Sequence, residues 1–282
     1  MIATESPTRV VSKPSRPRPL DKPASPKAPQ GLATPQQLAA HVAGLLNRHH
    51  PLRDGEPPFL PRHVSIIYQG RYGNANVYRY TDASRDLIVK DFSRCVWWFR
   101  HVMGRRFVSK ECGVIHFLKD LQGRGIVTDA HKLGPFTFCY TCIPGASVGA
   151  MSKAGRKLPA AFFQRWDQLV QAMHQRGIVH LDMRNTGNVL VGDDGCPTII
   201  DFQSALRIRF LPRFIKNILK RVDRSAVIKG WIRHGDSPLP PEQAAWYENF
   251  LKTRNLWVSL THPLRLLTTL FWRVVARFRR TN

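Results

Sequence analysis

Three features of this 282-residue chain predict an α+β fold of two lobes, an antiparallel sheet followed by a mainly helical unit. Short β-branched or aromatic runs separated by Gly, Asn, Asp and Ser crowd residues 64–92. Amphipathic helical patterns dominate after residue 145, and the short join Pro144-Gly145 divides the two textures.

The elements follow in chain order. Residues 1–34 are rich in Pro, hold six Lys or Arg and no large aromatic, and cannot bury enough apolar surface to offset their ordering entropy. They are expected to form a disordered basic tail. Thr34-Pro35 then reads as the cap and first position of a short helix, closed by the turn-rich stretch 51–62. VSIIYQ, NVYRYT and DLIVKDF read as antiparallel strands, and residues 107–122 as a helix. KLGPFTFCYTCI reads as a hairpin plus a strand, and 159–176 as a helix bounded by Pro159 and Gly177. The organisation expected is a tail (1–34), a helix and linker (35–62), a strand-rich lobe (63–143), a helical lobe (144–235) and a basic extension (236–282).

Composition narrows the partners. With 43 Lys and Arg against 19 Asp and Glu the formal charge is +24, which favours a polyanionic or phosphorylated partner. Five scattered cysteines do not form a secreted disulfide framework, and no signal or membrane-spanning stretch is visible, so a cytoplasmic location is expected.

The string IVHLDMRNTGNVLVGDDGCPTIIDF, residues 178–202, carries the chemistry. An apolar stub ends at His180-Leu181-Asp182, and a polar loop runs to Asn188. Val189–Val191 is a strand, 192–195 a hairpin turn, and the return strand ends at Asp201. Asp182, Asn188 and Asp201 can thereby reach one mouth. Two carboxylates and an amide are hard oxygen donors that suit Mg²⁺, and a carboxylate spared from the metal could accept a hydroxyl proton.

Here the sequence resembles the protein-kinase-like superfamily, whose pattern is His-x-Asp, then Asn, then Asp-Phe-Gly. The resemblance implies a bilobal protein-kinase-like fold with an antiparallel-sheet N-lobe and a mainly helical C-lobe. It implies Asp182 as catalytic base, Asn188 and Asp201 as Mg²⁺ ligands, and Arg184 as a cation facing the transferring phosphoryl group. Lys90 in Ile88-Val89-Lys90 resembles the nucleotide-phosphate lysine, and Glu111 on the next helix its ion-pair partner. Lys110 is expected to face solvent. Gly70 and Gly73 in GRYGNANV stand where a glycine loop would cover the phosphates of ATP, although Ala75 occupies the place of a third glycine. Tyr140–Gly145 resembles the interlobe linker, so the backbone around Cys142 is expected to meet adenine. Cys139 and Cys142 fall on opposite strand faces, which argues against a metal or redox pair.

The sequence departs from the pattern in three places. Five residues rather than four separate Asp182 from Asn188, so one must bulge and Asn185 competes as a ligand. Gln203 replaces the Gly after Asp-Phe, and no Ala-Pro-Glu motif follows. The chain therefore looks like an atypical compact branch, similar to RIO-like kinases or to the bacterial lipopolysaccharide kinases of Kdo or heptose.

Residues 207–224 hold seven basic residues and one acidic, with Arg213, Lys216, Lys220 and Arg224 on one helical stripe. In 264–282, Leu267, Phe271, Val274 and Phe278 oppose Arg265, Arg273, Arg277 and Arg280. Such segments suit either packing on the helical lobe or an anionic membrane surface. They match no helix-turn-helix, zinc or RNP pattern, so nucleic acid is not expected. The expected activity is ATP- and Mg²⁺-dependent phosphoryl transfer to a hydroxyl at the inner face of the cytoplasmic membrane. The expected acceptor is a lipid-linked saccharide. A RIO-like protein kinase and a pseudokinase scaffold are the alternatives.

Overall fold

A computed structural model describes residues 34–52, 55–70, 74–121, 125–127 and 129–253. The basic tail expected over 1–34 falls almost wholly outside these residues, as does the amphipathic stripe of 264–282.

The described elements begin with α1, Pro35–His49, which places Leu38, Val42, Ala43 and Leu46 on one buried face. Their spacing keeps these four in register on a 3.6-residue helix. Beyond it, the Asn47 side-chain amide takes both backbone groups of Phe59: Oδ1 accepts the N–H at 2.8 Å and Nδ2 donates to the carbonyl at 2.9 Å. That bidentate grip seats the buried Phe59 ring against Tyr80, 4.8 Å between centroids.

A five-stranded antiparallel sheet follows, with strands β1 (Val64–Tyr68), β2 (Asn76–Thr81), β3 (Asp86–Asp91), β4 (His131–Lys132) and β5 (Thr137–Thr141). Their spatial order is β1-β2-β3-β5-β4. Sequential neighbours pair in the first three strands, as short turns dictate. Central β3 buries Val89, Lys90 and Asp91 consecutively, which a strand open to water on one face would not do. Asp91 is satisfied there by Thr137 Oγ1 at 2.9 Å and by the Ser93 amide and hydroxyl, both at 2.8 Å.

The helix after β3 starts earlier than expected. It opens at α2, Trp97–Phe99, widens into a π turn at Arg100–Gly104, and continues as α3, Arg105–Phe117. The early portion escapes a periodicity reading because the π turn inserts a residue and shifts the phase of its apolar positions. A 3₁₀ turn, Lys119–Leu121, ends it, where Arg176 Nε donates to Asp120 at 2.6 Å.

The second lobe opens with β6 (Ala146–Ser147) and contains α4 (Val148–Lys153), α5 (Ala160–Gln175) and α6 (Arg213–His234). Between α5 and α6 lie β7 (Ile178–Val179), β8 (Val189–Val191), β9 (Pro197–Ile199) and β10 (Leu206–Arg207), and β8 pairs with both β6 and β9. Helices α5 and α6 lock through Phe163 stacked on Trp231, 5.3 Å between centroids. One apolar core runs through both lobes, from Phe92, Val108 and Phe138 to Phe162, Trp166 and Ala226, while Leu38, Val42, Phe59, Tyr78 and Val89 are buried outside it. At the join, Gly145 has φ 140°, and a Cβ there would lie 2.3 Å from the Val191 carbonyl oxygen, so β8 can approach the linker only past a glycine.

The basic stripe of 207–224 belongs to the longer helix α6. Its second half is buried, and Arg224 lies over the Trp246 ring at 4.7 Å, in the helical stretch 241–253, while Lys216 Nζ donates to the Arg209 carbonyl at 2.7 Å. Phe214, near its start, stays 64% exposed. Among the described residues no helix is long and apolar enough to cross a membrane. The architecture is thus an antiparallel-sheet lobe and a mainly helical lobe sharing one core, the bilobal arrangement of the protein-kinase-like fold.

Candidate active site

The centre of the candidate site is a three-body ion cluster. Lys90 Nζ on β3 lies 2.7 Å from Glu111 Oε1 on α3 and 2.7 Å from Asp201 Oδ1 beyond β9. Residues 21 and 111 positions away in sequence are thereby tied to one ammonium. Burial alone would favour the neutral amine, but the carboxylates of Glu111 and Asp201 outweigh it and hold Lys90 charged, its pKa above the ordinary lysine value. Burial works against the Asp201 carboxylate too. The Lys90 charge and hydrogen bond prevail, and its pKa falls below the usual carboxylate value. Glu111, fully buried, is pushed up by burial despite Lys90. Tyr140, also raised by burial, has its ring centroid 6.0 Å from the ammonium.

Asp201 adopts φ 64°, ψ 70°, a left-handed conformation that a non-glycine residue holds only when its surroundings enforce it. Gln203, standing where the kinase pattern has Gly, is not among the described residues with positive φ, so the replacement imposes no backbone strain. Its carbonyl accepts Lys110 Nζ at 2.9 Å. This corrects the expectation that Lys110 faces solvent. Its stem runs partly buried beside Glu111, burial lowers its pKa, and its charge is spent on the backbone two residues beyond Asp201.

The residues of the loop 182–188 assemble beside it. Asn188 is buried and its Nδ2 donates to Asp182 Oδ2 at 2.8 Å and to the Asp182 carbonyl at 3.1 Å. Asn185 is exposed, and its Oδ1 accepts the Gly187 amide at 3.2 Å, capping the 3₁₀ turn Thr186–Asn188. That turn absorbs the extra residue of the loop, so Asn188 rather than Asn185 lies against Asp182.

His180 fastens this loop to the strand that carries Asp201. Its Nε2–H donates to the Ile200 carbonyl at 3.0 Å, while the Asp182 amide donates to Nδ1 at 3.3 Å. Those partners require the neutral imidazole with the proton on Nε2. Burial lowers its pKa accordingly.

Other sequence-identified residues have partners within the fold. Arg184 Nη1 donates to Ser225 Oγ on α6 at 2.8 Å, so its guanidinium is anchored to the helical lobe. The Cys142 amide donates to the Asp86 carbonyl at 2.8 Å and is consumed by the β3–β5 ladder, so it is not offered to a base. Gly70 donates its N–H to Asn76 Oδ1 at 2.8 Å, and a Cβ there would meet the Asn74 carbonyl oxygen at 2.0 Å, so position 70 has no room for a side chain. Gly73 lies outside the described residues.

Asp223 was missed altogether. Buried on α6, its carboxylate accepts the amides of His180 at 2.8 Å and Leu181 at 2.7 Å and meets His174 Nε2 at 3.0 Å. The sequence does carry a signal for it: Asp223 is the single acidic residue in the basic stretch 207–224.

No protein-family model matches the chain, and no curated protein matches it. Among solved structures it is similar to Rio2 kinase from Chaetomium thermophilum in complex with ADP/Mg²⁺ and phosphoaspartate, at 14% identity and TM-score 0.48, over 72% of this chain and 63% of that one. A second structure of Rio2 kinase from Chaetomium thermophilum gives 14% identity and TM-score 0.49 over 73% and 65%. The chain spans less than two thirds of the length of either.

Proposed function

We propose that this protein is an ATP-dependent phosphotransferase that moves the γ-phosphoryl group to a hydroxyl acceptor. The observation that carries the reading is the bridge of Lys90 between Glu111 and Asp201, with the Asp182–Asn188 pair on the same mouth. Lys90, held charged, is suited to grip nucleotide phosphate oxygens. Asp182 is suited to accept the proton of the attacking hydroxyl as the oxygen–phosphorus bond forms and ADP departs with the bonding pair of the broken bond.

The donors fit Mg²⁺. Asp201 is kept anionic by Lys90, and Asn188 offers an amide oxygen, both hard ligands of the kind Mg²⁺ takes together with substrate phosphates. Bound there, Mg²⁺ would neutralise charge on the phosphate oxygens.

For the acceptor we infer a lipid-linked saccharide, such as a lipopolysaccharide core sugar, met at the inner face of the cytoplasmic membrane. Only residues 203–212 separate Asp201-Phe202 from α6, which leaves little chain for docking a peptide. In that stretch Phe210 is 94% exposed between Arg209 and Arg213, an arrangement that suits an amphiphilic, anionic acceptor. A RIO-like protein kinase is the second reading, and a pseudokinase scaffold the third.

Incubation with γ-labelled ATP and Mg²⁺, followed by mass spectrometry of the products, tests them. Phosphoglycan is expected. Phosphopeptide without phosphoglycan favours the protein-kinase reading. No thermal shift with Mg·ATP and no product favours the scaffold.

A further inference from the structure

The helix between β3 and the cleft carries an exposed surface that the phosphotransfer chemistry leaves unused. Trp97 is 70% exposed, Trp98 43% and Val102 53%. Large apolar side chains gathered in the open mark an interaction surface rather than a fold requirement. His101, Arg105 and Arg106 are exposed among them. Residues 92–110 contain five Lys or Arg and no Asp or Glu.

The platform beneath is packed. Phe99 meets Phe107 at 6.0 Å and Phe107 meets Phe92 at 5.8 Å. Arg100 turns inward, its Nη1 donating to the Ser93 carbonyl at 2.7 Å. Trp97 is steadied by the His101 ring at 5.1 Å, and His101 in turn by Phe136 at 5.2 Å. The π turn Arg100–Gly104 forms part of this exposed row, contributing His101 and Val102. The two indoles are therefore presented on a rigid base.

We propose that the Trp97–Arg106 face is an interfacial surface that seats the sheet lobe on anionic lipid. Indole rings partition to the boundary between headgroups and acyl chains, and arginines beside them meet the negative headgroups. Charge selects this occupant over the rivals. A second copy would bring an equally basic, acid-free face against this one. The segments outside the described residues are also basic: 1–33 hold six Lys or Arg against two acids, and 254–282 hold six Arg and no acid. The inference rests on this surface alone and stands whether or not phosphoryl transfer does, because the test contains no nucleotide.

The full-length chain is co-sedimented with phosphatidylcholine vesicles, with and without phosphatidylserine, and compared with Trp97→Ala/Trp98→Ala and Arg105→Glu/Arg106→Glu. Each pair of substitutions is expected to weaken binding to the anionic vesicles by about tenfold or more and to leave the melting temperature unchanged. Brominated lipid is expected to quench wild-type fluorescence more than that of the tryptophan variant. Undiminished vesicle affinity in the Trp variant overturns the proposal and assigns any membrane binding to other segments. A lowered melting temperature with unchanged vesicle affinity overturns it by showing that the protein itself covers the indoles. The proposal also fails if the Trp variant turns a dimer into a monomer, or loses binding to single-stranded RNA, while vesicle affinity stays intact.

Discussion

Asp223, in the middle of α6, accepts the backbone N–H of Leu181 at 2.7 Å, and Leu181 is one of three described non-glycine residues held at positive φ. A β-carbon at φ 68° costs energy unless neighbouring bonds insist on it. The same carboxylate takes the His180 amide, so a helix from one end of the lobe fixes the two residues that precede Asp182. Asp223→Asn keeps the shape but puts an amide N–H₂ where a backbone donor points. It should lower stability by about 2–3 kcal/mol, the scale of buried charge-assisted bonds. Urea denaturation reads this as a lower midpoint at unchanged slope, and turnover should fall with it even under conditions where the variant is fully folded.

Asp182→Asn should separate chemistry from folding. The substituted amide still meets Asn188 but cannot accept a proton, so turnover should drop by about 10²–10⁴-fold while nucleotide affinity stays near wild type. Steady-state rates beside a Mg·ATP thermal shift check both halves. Wild-type turnover in this variant would remove Asp182 from the role of base.

Much of this site is legible in sequence because its parts announce themselves locally. The Asp182-to-Asp201 hairpin is short, its strands are β-branched, and its turn is Gly-Asp-Asp-Gly, so the polar ends of the hairpin must emerge together. Lys90 is readable because it ends an apolar run on a central strand. What escapes are relations set by tertiary packing. Arg184 carries no local mark of its bond to Ser225, 41 residues on, and Asp223 looks like one more polar residue on an amphipathic helix. The helix start at Trp97 escapes for another reason, since two exposed tryptophans before a π turn do not resemble a helical face. Cys142 shows the reach of strand alternation: that its amide is taken by the Asp86 carbonyl depends on ladder register, which its neighbours in sequence do not reveal.

Lys110 gives a prediction that its sequence position conceals. Its ammonium holds the Gln203 carbonyl just beyond the left-handed Asp201, so Lys110→Met should loosen the Asp201 backbone while sparing the Lys90–Glu111 pair. A charge-assisted bond of about 1.5 kcal/mol translates to roughly a tenfold weakening of Mg²⁺-dependent nucleotide binding. Binding measured without Mg²⁺ should change less. Equal losses in both conditions would mean that Lys110 acts on the nucleotide itself.

His180 sets an acid limit on the fold and the site. Burial lowers its pKa in the folded protein below the 6.5 of an unconstrained histidine, and its hydrogen bonds suit the neutral ring. Between the folded and unfolded values the unfolded chain binds more protons, so stability rises with pH there. The contribution is complete above about pH 6.5 and is lost progressively as pH falls from there toward the folded pKa. Once protonated, Nδ1 can no longer accept the Asp182 amide, and Asp182, the proposed base, loses one of its orienting bonds in the same range. His180→Gln supplies the comparison because it offers a non-titrating donor and acceptor. Wild-type stability should fall across this interval more steeply than that of the variant. The wild-type turnover profile should show an acid limb over the same pH interval, with the variant flatter. Parallel stability curves for the two proteins would mean that His180 remains neutral throughout.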